Sequence, residues 1–372
     1  MGNATISQIL LIFLFTQISA DNPFPANITD FKALNAYFEK FFSRKDTETV
    51  ETWTKKLPTK AEIQEAHQLV PLLYGITKIE DCSSSLLASF KELQKSLQIS
   101  PFLNRYCVLH EKFPTTSPMR FARAFGYMAV AMPDFVQRQI HHSAAHFQSD
   151  DEVDQQAAYL FENTDSRSLI VAGASRFCIQ GTSPSERNGS AFPAGTNSTC
   201  QPGNTVSDAA HNTNLLFHHY NMAIRDATLT RKESPIFIQW HGMAAESCTK
   251  TDAFVSAGAY SGAPVYNDIG TNPNRIVTAV RLITNVFIAG TPKTDPDCNL
   301  IAETNVFGRY IYGVPFESLC QNVSPYDKRD GTFIHIEQHI NSRNDLADWA
   351  RILPVAFGNQ NTLARNLDTN DL

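Results

Sequence analysis

Three short stretches of this 372-residue chain gather the residue types that do acid–base and metal chemistry. Residues 141–152 read HHSAAHFQSDDE, so imidazoles and carboxylates lie within a few residues of one another. Gln239-Trp240-His241-Gly242 sets a histidine beside a glycine, and Phe333-Ile334-His335-Ile336-Glu337 sets a histidine two residues before a glutamate. Imidazole nitrogen and carboxylate oxygen are ligands of catalytic zinc, which takes three protein ligands and leaves a fourth position to water. On this reading His146, Asp150 and His241 are the expected ligands of one zinc ion. Glu337 is then free to take the proton of a bound water whose pKa the metal lowers toward about 7. His142 competes with His146 as the first ligand, and Asp151 and Glu152 compete with Asp150 as the second.

Asp208 and His211, about one helical turn apart, form a further cluster. They are alternative ligands in place of His146 and Asp150, or partners for the second nitrogen of a ligating imidazole. The plainer reading makes Asp208 a first-turn carboxylate favoured by the helix dipole. Arg176 and Arg309 are candidate clamps for a substrate carboxylate, through the bidentate fork that lysine lacks; structural ion pairs are the alternative. Other schemes lack their residues. The run 256–262 (SAGAYSG) does not make a Gly-x-Ser-x-Gly elbow, and neither a phosphate loop nor a dinucleotide fingerprint occurs.

Such groups need a scaffold, and the apolar pattern supplies one. Short runs that read as buried strands occur at 168–173 (SLIVAG), 235–240 (PIFIQW), 285–289 (NVFIA) and 332–336 (TFIHI). Helical spacing lies between them at 155–161, at 207–226 with Ser207 as its expected cap, and at 274–282. Strands alternating with helices imply an α/β fold with a mostly parallel central sheet covered by helices. Ligands of such sheets bind beyond the carboxyl ends of the strands, where His241, Glu337 and Arg176 fall. Along 333–337 the alternation puts Phe333, His335 and Glu337 on one face. From about 30 to 99 the spacing is helical instead, through Phe31, Leu34, Phe38 and Phe41 and again through Leu86, Phe90, Leu93 and Leu97; Thr29 or Asp30 is the expected cap of the first helix. The expected organisation is a signal peptide at 1–20, a helical region at 21–120, an α/β catalytic-type domain at 121–355 and a tail at 356–372.

The first twenty residues carry a short apolar run, 9–15 (ILLIFLF), followed by Ile18-Ser19-Ala20. That is the pattern of a cleaved secretory signal, and it is too short for a spanning helix. Export agrees with four Asn-x-Ser/Thr sequons as N-glycan acceptors, at Asn27, Asn188, Asn197 and Asn322. Seven scattered cysteines without a Cys-x-x-Cys pair read as disulfides. The spacing suggests local loops Cys82–Cys107, Cys178–Cys200 and Cys298–Cys320, with Cys248 left over. A net charge of -6 and the lack of any basic run exclude nucleic acid as an expected partner, and no second apolar stretch reaches membrane length.

The order of these motifs resembles the zinc carboxypeptidase-like hydrolases, in particular the N-formylglutamate amidohydrolase and poly-gamma-glutamate hydrolase branch. The resemblance runs over roughly residues 135 to 345. It is carried by His146 with Asp150, by Gln239-Trp240-His241-Gly242, by Asn305-Val306-Phe307-Gly308-Arg309 and by the strand ending in Glu337. It implies a phosphorylase/hydrolase-like zinc carboxypeptidase-type architecture and cleavage of an amide or peptide-like bond in a small anionic substrate. It also implies that Asn305 joins Arg176 and Arg309 in binding that substrate. The family pattern is His-x-x-Glu, whereas here four residues separate His146 from Asp150. That departure keeps a second expectation open: a non-catalytic binding or structural glycoprotein with an incomplete metal site.

Overall fold

A computed structural model describes residues 23–181, 200 and 205–358. The signal sequence, the sequons at Asn188 and Asn197 and most of the tail lie outside the described residues. Nine strands form one sheet: β1 (Leu97–Phe102), β2 (Tyr106–Glu111), β3 (Tyr127–Ala131), β4 (Arg138–Ala144), β5 (Ser166–Val171), β6 (Ile236–Gly242), β7 (Ala253–Ser256), β8 (Ala289–Gly290) and β9 (Phe333–Gln338). Their order is β1-β2-β3-β5-β4-β6-β9-β7-β8. The central four, β5-β4-β6-β9, run parallel. Antiparallel pairing extends the sheet through β3, β2 and β1 on one side and joins β7 to β9 on the other. The chain is therefore mixed α/β with a sheet that is parallel at its centre, as the alternation of strand and helix implied.

Each face of the sheet has its own core, because alternate side chains point to opposite sides. On one face Ile140, Ile238, Trp240, Ile334 and Ile336 pack with Phe31, Phe161, Ile276 and Trp349. Those four partners come from the helices Phe31–Phe38, Val153–Asn163, Asn272–Ile283 and Leu346–Phe357. On the other face Phe237 and Phe333 pack with Leu69, Leu73, Leu216, Tyr220 and Phe307, from the helices Lys60–Tyr74, Leu216–Thr230 and Val306–Ile311. Full burial of each large apolar side chain contributes roughly 1.5–3 kcal/mol. Along β6 and β9 the second face turns polar toward the carboxyl ends, where Gln239, His241, His335 and Glu337 follow Phe237 and Phe333.

Several expectations are corrected. The stretch 86–97 is not a continuous helix: Ser84–Ser89 is 3-10, Leu93–Ser96 is a single turn, and Leu97 opens β1. The sheet therefore begins inside the region read as helical. Asp30 does cap the first helix, its Oδ1 accepting from the Ala33 amide at 2.7 Å. The helix expected from Ser207 starts at Leu216 and runs to Thr230; the Ser207 hydroxyl instead donates to the Arg176 carbonyl at 2.7 Å. Of the run 285–289 only Ala289 enters a strand, while Val286 and Ile288 are 60% and 64% exposed. Cys82–Cys107 pairs as expected, but the other bridges are Cys200–Cys320 and Cys248–Cys298, and the free thiol is the buried Cys178. These bridges close loops of 120 and 50 residues, because the fold, not sequence distance, sets which cysteines meet.

Candidate metal centre

Strand β4 carries the chain to Ala144, and residues 146–151 fold back at its carboxyl end. The reversal is tight: the Asp150 amide donates to the His146 carbonyl at 3.3 Å. Gln148 and Asp151 take left-handed φ values of 66° and 55°. This reversal lets a spacing of four bring His146 and Asp150 side by side. His241 arrives on β6, registered against Glu337 of β9 across the parallel pair.

Three atoms converge. His146 Nδ1 lies 2.9 Å from Asp150 Oδ2, His241 Nδ1 lies 3.3 Å from the same oxygen, and the two Nδ1 atoms are 3.1 Å apart. Ligands about 2.0–2.2 Å from a tetrahedral zinc are separated by about 3.4 Å, so this triangle is close to one face of that tetrahedron. The other ring nitrogens are held from behind. His146 Nε2 meets Asp208 Oδ1 at 2.9 Å, and His241 Nε2 meets Gln239 Oε1 at 2.9 Å. Both rings are thereby turned so that Nδ1 faces the shared point, the arrangement by which outer carboxylates and amides orient ligating imidazoles. His146, Asp150 and His241 are all buried, at 3%, 4% and 2% exposure. The residues present fit a metal ion, and among the described residues His146, Asp150 and His241 form one of two groups able to hold one.

The second group is His241, His335 and Glu337. His241 has one nitrogen committed to Gln239, which leaves a single lone pair to give. The two groups therefore describe one centre, with His146 and Asp150 on one side and the β9 residues on the other. The His335 ring lies 4.3 Å from that of His241; its Nε2 is 3.6 Å from Glu337 Oε1, and its Nδ1 is buried without a hydrogen-bond partner.

Electrostatics follow from burial and neighbours. Burial disfavours the charged form of His146, but the carboxylates of Asp150 and Asp208 outweigh it and raise the pKa to about 9. Burial would raise Asp150, yet the His146 and His241 imidazoles hold it well below the usual carboxylate range. Asp208 is likewise held low, against burial, by His146 and His211. Burial lowers His241 to about 4, with Asp150 opposing. Glu337 is pushed up to about 8 by burial and by the Asp150 charge. A carboxyl group that titrates near neutrality beside a ligand cluster is suited to proton transfer.

The remaining expected residues divide. Asp208 stands behind His146 and also accepts from the Ala210 amide at 3.0 Å; it orients a ligand rather than replacing one. His211 has a buried Nδ1 without a partner. Arg176 pairs with Asp150 through Nη2 at 3.1 Å from Oδ1, an ion pair without hydrogen-bond alignment. Asn305 caps the helix Val306–Ile311, accepting from the Phe307 and Gly308 amides, and donates to Gln239 Oε1; it acts on His241 through that amide. Arg309 donates to the carbonyls of Glu303 and Leu319 at 2.9 and 2.6 Å, so backbone engages its guanidinium. His142 belongs to the opposite face: its Nδ1 accepts from Trp240 Nε1 at 3.0 Å and its Nε2 pairs with the Ser166 hydroxyl at 3.0 Å. It is a core histidine, not a competing ligand.

Sequence reasoning missed Gln239, whose spacing of two from His241 on one strand face was a readable signal. Gly242, legible as the glycine beside His241, brings its backbone close as that residue type allows: its amide lies 3.3 Å from Asp150 Oδ2. The cavity of about 510 Å3 between Ile236 and Thr332 opens at the opposite, amino-terminal ends of β6 and β9 and holds none of these groups. No family model, curated protein or solved structure matches the chain.

Proposed function

We propose that this protein is an exported zinc-dependent hydrolase that cleaves an amide or peptide-like bond in a small carboxylate-bearing substrate. The observation that carries this reading is the triangle of His146 Nδ1, Asp150 Oδ2 and His241 Nδ1, with each ring fixed from behind. Two imidazoles and one carboxylate are the donor set of a three-ligand zinc site. Zinc held there would supply a Lewis acid for the scissile carbonyl and lower the pKa of a bound water. Glu337, beside His241 on the neighbouring strand, takes the proton of the attacking water and holds it for the leaving amine. Arg176, in contact with Asp150 and with 30% of its side chain exposed, is the cation that would meet an anionic group of the substrate. The left-handed residues of the 146–151 turn let the four-residue spacing bring His146 and Asp150 to one point, which supports a complete site.

Export is supported by three disulfides among the described residues. Among those residues no helix is long and apolar enough to cross a membrane. Asn27 and Asn322 are exposed, as N-glycan acceptors must be.

The test is hydrolysis of N-acyl amino acids, gamma-glutamyl polymers and C-terminal peptides by the zinc-loaded protein, beside Glu337→Gln. The expected result is activity on one of these classes and a loss of roughly 10²–10⁴-fold in the variant, with zinc retained. Equal activity in the two proteins would remove Glu337 from the mechanism.

A further inference from the structure

Behind the centre lies a buried arginine that no part of the proposed mechanism uses. Arg343, in the short helix Ile340–Asn344, is only 3% exposed. Its Nη2 donates to Asp151 Oδ2 at 2.6 Å, and its Nη1 donates to the Gln338 carbonyl at 3.3 Å. Its guanidinium also fills the space that a side chain at residue 242 would need. A Cβ placed on Gly242 would lie 2.2 Å from Nη1 and 2.8 Å from the Asp150 carbonyl oxygen. One planar group thus touches all three segments that carry the centre: the 146–151 turn, the end of β6 after His241, and the end of β9 after Glu337. The last two are further joined by the Gln338 side chain, which donates to the His241 carbonyl at 3.4 Å and exchanges hydrogen bonds with Gln156 at 2.8 and 3.0 Å.

Two observations argue that this contact serves position rather than stability. The first is the partnering of the charge. The Asp151 side chain is 68% exposed while that of Arg343 is 3%, and Arg343 Nε is buried without a partner. Taking a guanidinium out of water for one half-solvated carboxylate is a poor route to stability, since desolvation offsets the attraction. The second is the turn it holds. Non-glycine residues are disfavoured in the left-handed region, and the 146–151 turn has two, Gln148 and Asp151. Such a turn persists only where surrounding contacts over-determine it. The Arg343 contact falls on one of those two residues, next in sequence to the ligand Asp150.

We infer that Arg343 is a positioning residue of the metal centre: it clamps the turn bearing His146 and Asp150 to the ends of β6 and β9, and Gly242 is the slot that admits it. The inference deepens the metal-centre reading above and rests on it. Arginine is required because a single fork serves Asp151 and the Gln338 carbonyl together, whereas lysine is one point charge.

The experiment compares wild type, Arg343→Lys and Arg343→Met by zinc affinity, measured in competition with a chromophoric chelator, and by the melting temperature of each zinc-free protein. The expected result is tight zinc binding by wild type and affinity weaker by about 10–100-fold in both variants, the range for outer partners of metal ligands. The zinc-free melting temperature of Arg343→Lys should stay at the wild-type value. Unchanged zinc affinity in the variants overturns the positioning role, and so does a weakening no larger than their loss of folded protein. Should Arg343→Met fail to fold, Arg343→Lys alone decides; failure of both to fold assigns Arg343 to stability and overturns the inference. A wild type that takes up no zinc overturns the metal-centre reading itself, an outcome visible before any variant is compared.

Discussion

His146 and His241 face each other through like atoms, Nδ1 to Nδ1 at 3.1 Å, while their Nε2 atoms are engaged by Asp208 and Gln239. If both rings carry their proton on Nε2, two lone pairs oppose each other and only a positive charge between them makes the contact favourable. A proton or a metal ion can fill that role. In the metal-free protein the proton resides on His146, whose pKa is about 9. A metal must displace it, because only the neutral ring ligates. Zinc uptake at pH 7 should therefore release about one proton per site, and affinity should rise with pH until about 9. Calorimetric titration in buffers of different ionisation enthalpy measures that release; none at pH 7 would contradict the assignment.

Asp208 acts through His146. Asp208→Asn should weaken zinc binding by about 10–100-fold. Because Asp208 also helps raise the His146 pKa, the same substitution should shrink the proton release at pH 7. A variant with weaker binding but unchanged proton release would mean that Asp208 does not face His146 as described.

Gly242→Ala inserts a methyl group 2.8 Å from the Asp150 carbonyl oxygen, a backbone atom that cannot swing away. The expected cost is about 1–3 kcal/mol of stability, read from the urea midpoint, together with reduced zinc content. Wild-type values of both would show that the turn is looser than the geometry implies.

Buried histidines away from the centre contribute to acid stability. Burial lowers the folded pKa of His110 to about 4 and those of His142 and His219 to about 3, against about 6.5 when unfolded. The unfolded chain then binds more protons, so stability is full above about pH 6.5 and declines as the pH falls toward 4. Each such histidine adds a slope of at most ~1.4 kcal/mol per pH unit. Chemical denaturation at pH 7, 5.5 and 4 measures the decline, and His142→Gln should flatten it even where it lowers stability at every pH.

Much of this was legible in the chain because strands buried on both faces write themselves as apolar runs: β5, β6 and β9 were located from SLIVAG, PIFIQW and TFIHI. β4 was not, although it is the central strand that delivers His146. Its residues Arg138, His141, His142 and Ser143 read as polar, and only tertiary partners such as Trp240, Ser166 and Ser168 make their burial tolerable. The candidate ligands were legible by residue type, including the four-residue spacing that looked irregular. What was hidden is which polar groups stand behind them. Asp208 was named for this role only as one of two alternatives and Asn305 for another role; Gln239 was signalled only by its spacing from His241, and Arg343 carries no local signal in the sequence. Helical spacing in residues 86–97 misled because 3-10 turns and a strand start can share the same apolar interval.

Metal analysis of the purified protein beside His241→Ala decides whether His146, Asp150 and His241 hold one zinc ion. Close to one zinc per wild-type chain is expected after equilibration with zinc and dialysis, and near none in the variant. A wild type that retains no zinc, or a variant that retains as much as wild type, rules the site out.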